Sequence, residues 1–242
     1  MPLSVTAVPC LSDNYLWLLQ DQATGAVAIC DPGEAGPAIA AVEKLGGRLD
    51  LILLTHHHGD HIAGVAELQA RFGGRIVGAA ADAHRLPKLD QAVREGDTVS
   101  LGESRAAVIE TPGHTVGHIA FHFPEGDAVL CGDTLFSLGC GRLLEGNAAQ
   151  MFRSLAKLAA LPAGTLVCCG HEYTLSNARF ALTVEPDNAA LRARAEQAEA
   201  QRAAGRFTVP TTMAEERAAN PFLRAGDVAG LAAIRSAKDS FR

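Results

Sequence analysis

Apolar residues along this chain switch between a period of two and a period near 3.6, and the switches mark out alternating strands and helices. Residues 3–8, 15–19 and 26–30 read as strands, the last two joined by the polar turn at 21–25. Asp31, Pro32 and Gly33 break the pattern, and a helix is predicted over 37–45, with Pro37 at its start and Gly46 and Gly47 at its end. The apolar run 51–54 reads as a buried strand. Ile62, Val65, Leu68 and Phe72 then recur at helical spacing until Gly73 and Gly74, and 75–77 opens another strand. Further on, 106–109 is a strand, 119–123 and 128–131 form a hairpin about a turn at 124–127, and Met151, Leu155 and Leu158 lie on one face of a helix. The strand 165–169 follows, and no strand-like run is expected beyond Cys169. A helical pattern runs over 174–188, and 188–204 is rich in Ala, Glu, Gln and Arg, a composition suited to exposed helix. Thr212 and Glu215, at capping-box spacing, open a last predicted helix. The chain thus divides into a layered α/β domain, residues 1–173, and a smaller helical domain, residues 174–242.

Composition narrows the possibilities. The 242 residues are enough for a sizeable core, and 48% hydrophobic against 20% charged residues is the balance of a globular protein. A net charge of −6 argues against nucleic acid as the main partner. No run approaches the ~18 apolar residues of a membrane span. The N-terminal residues lack a signal core or an Arg-rich stretch, so the expected compartment is the cytoplasm, and no membrane partner is expected. Six cysteines without regular spacing read as reduced, buried thiols.

The loops at four strand ends carry the candidate chemistry. After the strand 51–54 comes Thr55-His56-His57-His58-Gly59-Asp60-His61. In extended backbone His56 and His58 face one way and His57 the other, while Asp60 and His61 fall where a helix begins and aim elsewhere. His114 follows the turn-forming Pro112 and Gly113, Asp133 follows Gly132, and His171 follows Gly170. Loops at one edge of a layered sheet meet in space, so these residues are expected to converge. His56, His58 and His114 would hold one ion and Asp60, His61 and His171 another, with Asp133 bridging them at the roughly 3.5–4 Å separation of two-metal hydrolases. Two divalent ions, two carboxylates and a bridging hydroxide leave a charge of about +1, which favours attack by that hydroxide on an ester-like carbonyl. Asp60 and Asp133 are accordingly the candidate catalytic carboxylates. Zinc, iron and manganese all suit these ligands, with zinc taken first. His57 is expected to point away from the metals and to bond locally, and His118 to hold the loop that carries His114.

With these motifs placed, the sequence resembles the glyoxalase II (hydroxyacylglutathione hydrolase) family of the metallo-β-lactamase superfamily. The likeness spans nearly the whole chain. It rests on T-H-H-H-x-D-H at 55–61, T-P-G-H-T-x-G-H at 111–118, G-D-T-L-F at 132–136, G-C-G-R at 139–142, G-H-E-Y-T at 170–174, N-P-F-L-R at 220–224 and the terminal K-D-x-F at 238–241. The resemblance implies an αββα sandwich with a smaller C-terminal helical domain. It also implies hydrolysis of S-D-lactoylglutathione to D-lactate and glutathione, a step in methylglyoxal detoxification, by an enzyme expected to act as a monomer. It further implies that Arg142, Tyr173 and Arg224 bind the glutathione part. Leu144 and Gly59 stand where the family often has tyrosine and tryptophan, and a lysine often found after the N-P-F motif has no counterpart near Asp227. A persulfide dioxygenase, another superfamily hydrolase and a non-catalytic metal binder are the alternatives.

Overall fold

Two six-stranded sheets face each other in a computed structural model that describes residues 2–241. The first sheet runs in sequence order, β1 (Leu3–Cys10), β2 (Asn14–Asp21), β3 (Val27–Cys30), β4 (Leu51–Leu53), β5 (Arg75–Ala79) and β6 (Gln91–Val93). Its first three strands are antiparallel and its last four parallel, which requires crossovers. Helix α1 (Ala35–Lys44) crosses from β3 to β4, while α2 (Gly59–Ile62) and α3 (Val65–Phe72) cross from β4 to β5. Alternation along β4 shows how the layers form: Leu51 and Leu53 enter the core between the sheets, whereas Ile52 and Leu54 pack outward with Val42, Val65 and Leu68 of α1 and α3.

The second sheet has the order β14-β13-β10-β9-β8-β7, built from β7 (Thr98–Leu101), β8 (Ser104–Glu110), β9 (Ile119–Phe123), β10 (Ala128–Gly132), β13 (Leu166–Cys169) and β14 (Thr211–Thr212). Between β10 and β13 lie the hairpin β11 (Leu135–Phe136) and β12 (Gly139–Cys140), and helix α4 (Ala148–Ala159). Asn147 and Gln150 form a capping box that starts α4, whose Met151, Leu155 and Leu158 are buried. Helices α5 (Thr174–Val184), α6 (Ala189–Ala203), α7 (Met213–Ala219) and α8 (Val228–Ser240) complete the chain, α7 starting from the Thr212–Glu215 box.

Several elements differ from the expectations. The single helix over 62–72 is broken because Gly64 lies against the loop after β3: a Cβ there would come within 2.7 Å of the Pro32 carbonyl oxygen, and the Gly64 N–H donates to that oxygen at 2.8 Å. Strand β14 corrects the expectation that no strand follows Cys169, pairing antiparallel with β13. Two residues are too few to show a period. Helix α6 is not wholly exposed, since Leu191, Arg194, Ala195 and Ala198 are buried. Among the described residues no helix is long and apolar enough to cross a membrane.

Candidate metal centre and active site

The polar loops that follow β4, β8, β10 and β13 meet at one edge of the sandwich. His58 Nδ1 lies 3.1 Å from both His56 Nε2 and His114 Nε2, so three ring nitrogens face a common point. A second set is formed by Asp60, His61 and His171, with Asp60 Oδ2 3.4 Å from His171 Nε2 and 3.6 Å from His61 Nε2. Asp133 stands between the sets: Oδ2 is 3.5 Å from His114 Nε2 and 3.3 Å from His171 Nε2, and Oδ1 is 3.4 Å from His61 Nε2. All seven donors anticipated from the sequence are therefore brought together.

The remaining atoms of these side chains are fixed by residues that strand-end reasoning did not single out. Asp31, in a left-handed backbone conformation (φ 52°), accepts from the Thr55 N–H and hydroxyl at 2.8 and 2.6 Å, and its Oδ2 lies 3.1 Å from His61 Nδ1. Asp13 lies 2.9 Å from His171 Nδ1, and Asn14 donates to Asp60 at 3.0 Å. His114 Nδ1 is 2.8 Å from the Arg142 carbonyl oxygen. Such contacts select the ring tautomer and hold the other nitrogen toward an ion. Asp31, His56 and His61 also cluster, but the Asp31 carboxylate is already engaged by Thr55 and His61. His118 accepts from the Asp133 N–H at 3.1 Å and lies 2.9 Å from the Thr111 hydroxyl, tying the His114 loop to β10.

Electrostatics test whether these residues fit divalent ions. Burial holds His56 well below the ordinary imidazole value, and neighbouring histidines push the same way; burial and His114 likewise lower His58. Neutral imidazoles offer lone pairs, and three ring nitrogens this close to one another suit a shared cation. In the other set burial opposes a charge on His171, yet Asp133 and Asp60 outweigh it and lift the imidazole to about 10. Burial opposes His61 as well, and Asp133 and Asp31 raise it. Hydrogen bonding to His171 lowers Asp60; Asp133 is lowered in spite of burial, by His61 and His171. Protons there supply the positive charge that a cation would bring. His61 Nε2 and Asp133 Oδ1 are nonetheless buried without a hydrogen-bond partner, and a Cβ on Gly170 would collide with Asp133 Oδ1. The donor set fits a divalent metal.

A cavity of about 450 Å³ opens from this centre, lined by His114 and Asp133 of the donor sets together with Arg142, Tyr173, Arg235 and Lys238. Tyr173 stacks on His171, ring centroids 4.6 Å apart at 7°. Arg142 and Tyr173 line this cavity. Arg224 does not: its guanidinium pairs with Glu185 at 2.9 Å, away from the cavity lining. The N-P-F motif instead uses Asn220, which donates to the carbonyl oxygens of Phe136 and Gly139 at 3.1 Å. Arg235 and Lys238 were missed as cavity residues. Their signal is a pair of cations three positions apart on one face of α8, inside the segment that carries the terminal motif. A larger crevice of about 790 Å³ lies away from the donors, between Arg48, Arg75 and Gly102. Leu144 is 60% exposed, and a Cβ on Gly59 would meet open space. Cys140 also lines the cavity, but burial raises its thiol to about 11, so it is not a nucleophile at neutral pH.

Facing mixed sheets with His and Asp clusters at one edge define a divalent-metal-binding member of the metallo-β-lactamase superfamily, and the model of that superfamily matches residues 13–171. The helical remainder, residues 172–241, matches the model described as hydroxyacylglutathione hydrolase C-terminus. The chain belongs to the hydroxyacylglutathione hydrolase family and is a hydrolase. It is 59% identical over 238 residues to the hydroxyacylglutathione hydrolase of Acidiphilium cryptum, covering 98% of this chain and 97% of that one. It is 57% identical over 223 residues to that of Rhodospirillum rubrum, covering 92% and 87%. Among solved structures, ETHE1 from Myxococcus xanthus is similar at a TM-score of 0.71 and 27% identity, covering 98% of this chain and 90% of that one. TTHA1623 in a di-iron-bound form is similar at 0.57 and 28%, covering 69% and 91%.

Proposed function

We propose that the enzyme hydrolyses S-D-lactoylglutathione and related S-2-hydroxyacylglutathiones, releasing the 2-hydroxy acid, D-lactate in the first case, and free glutathione, and so serves methylglyoxal detoxification. The observation that carries this reading is the juxtaposition of two donor sets sharing Asp133 with a cavity lined by Arg142, Arg235 and Lys238. His56, His58 and His114 would hold one ion and Asp60, His61 and His171 a second, with Asp133 common to both. Bound divalent ions would polarise the thioester carbonyl and lower the pKa of a water molecule. Zinc is the first candidate and iron or manganese the alternatives, the imidazole and carboxylate donors suiting all three; the di-iron form of the similar TTHA1623 supports including iron.

The chain's own residues account for the rest. Glutathione carries two carboxylates, and Arg142, Arg235 and Lys238 give the cavity wall the opposite charge. Tyr173 and Phe136 pack edge to face beside His171, and both line the cavity. Asp60 and Asp133 are ionised at neutral pH and offer oxygens that orient the attacking water. The leaving thiolate is stable enough in water to depart without a general acid. All six cysteines are free and buried, which supports a reducing compartment, the cytoplasm. A monomer, with no nucleic-acid or membrane partner, completes the reading.

Metal-loaded protein, S-D-lactoylglutathione and a chromogenic thiol reagent test it. Thiol release without oxygen uptake is expected. Asp133→Ala should lower kcat by more than the ~100-fold that a supporting residue costs and lose metal on elemental analysis. No thiol release by the loaded protein, or two ions retained tightly by Asp133→Ala, would refute the assignment.

A further inference from the structure

Four polar side chains outside both donor sets meet beside the His56–His58–His114 cluster. His57, between two of those histidines, turns the other way and places Nδ1 2.9 Å from Asp82, in the turn after β5. The Asp82 carboxylate is fully buried and also accepts from Arg85. Arg85 in turn pairs with Glu145, in the loop after β12, which lies 3.6 Å from His57 Nε2. Glu145 closes the circuit onto the His114 loop: its carboxylate accepts from the Val116 N–H at 2.9 Å, and its own N–H donates to the His114 carbonyl oxygen at 3.3 Å. Asp82 presses on the same loop, since a Cβ on Gly117 would collide with its carboxylate.

We propose that His57, Asp82, Arg85 and Glu145 are positioning residues that lock the loop carrying His56 and His58 to the loop carrying His114, and so set the geometry of that donor set alone. The proposal rests on reading the three histidines as metal ligands. Two loops from different sheets supply the set, and donors must stay within about 0.5 Å of their working positions for tight coordination. A buried carboxylate in an ion pair, here with Arg85, adds little net stability as a rule, so the worth of Asp82 lies in the geometry it imposes. The second set has separate supports, Asn14 on Asp60, Asp31 on His61 and Asp13 on His171. Loosening the network therefore weakens one ion and spares the other.

Zinc titration of the metal-free full chain against a chromophoric chelator tests this, with Glu145→Ala, Glu145→Gln, Arg85→Met and His58→Ala beside the wild type. Glu145→Ala should bind one ion as the wild type does and the other about 10- to 100-fold more weakly. Glu145→Gln, whose amide oxygen still accepts from the Val116 N–H, should recover part of the loss. Arg85→Met should reproduce the asymmetry and covers the case of a Glu145 variant that fails to fold. KM for the thioester should hold while kcat falls. Both ions bound as in the wild type by Glu145→Ala and Arg85→Met, while His58→Ala loses one, overturns the network. If His58→Ala also keeps both ions, the metal assignment itself is wrong and the network falls with it.

Discussion

Lys238 shows how a single residue takes its properties from the cavity. Half-burial, and then the neighbouring Arg235, Arg179 and Arg142, push its ammonium from the ordinary lysine value down to about 8, against the weaker pull of Asp239. Below that pH the side chain is charged and would attract a substrate carboxylate; above it the charge is lost. KM for the thioester should therefore rise between pH 7 and 9, by up to about tenfold because the open site is screened by solvent, and Lys238→Met should flatten the rise. A pH-independent KM in the wild type would remove Lys238 from substrate binding. At this scale the seven side chains were legible because each lies in the polar loop, or at the helix start, that follows an apolar strand. Arg235 and Lys238 were not: a helix face shows that two cations share a side, but not what that side covers.

At the scale of elements, the hairpin of β11 and β12 depends on α7 and the residues after it. Phe136 and Cys140 of the hairpin line the cavity, and Asn220 holds its carbonyl groups while Glu216 accepts from the Leu138 N–H at 2.9 Å. Asn220→Ala leaves buried carbonyl oxygens unpaired and should cost about 1–3 kcal/mol in denaturant unfolding, with a raised KM. Unchanged stability and KM would mean that the hairpin holds itself. Strands as short as β11, β12 and β14 escape sequence reading because two residues carry no period, and pairing with a neighbour is what makes them strands. The break between α2 and α3 was hidden for a related reason: Gly64 in a helical pattern costs little locally, and the backbone it approaches comes from the loop before α1.

For the whole molecule, the two donor sets join four loops from both sheets, so divalent ions held there would act as cross-links between the layers. Removing them with a chelator should lower the thermal midpoint. An ion present at a thousandfold its dissociation constant contributes about 4 kcal/mol, which for a chain of this size corresponds to roughly ten degrees. Differential scanning with and without chelator checks this, and an unchanged midpoint would show that the loops are rigid without metal. The division into sandwich and helical part is less sharp in space than along the chain. β14 extends the second sheet, and Glu172 accepts from Tyr15 in β2 and from Thr208 near β14.

Sequence alone was enough to determine most of the alternation of strands and helices, the strand ends at which the histidines and aspartates sit and the chemical class of those side chains, because periodicity and side-chain chemistry are local properties. Only the tertiary structure decided what surrounds them: the carboxylates behind His61 and His171, the network that ties His57 to Glu145, and which cations face the cavity. Those contacts join residues far apart in the chain, and their partners are chosen by how the two sheets pack.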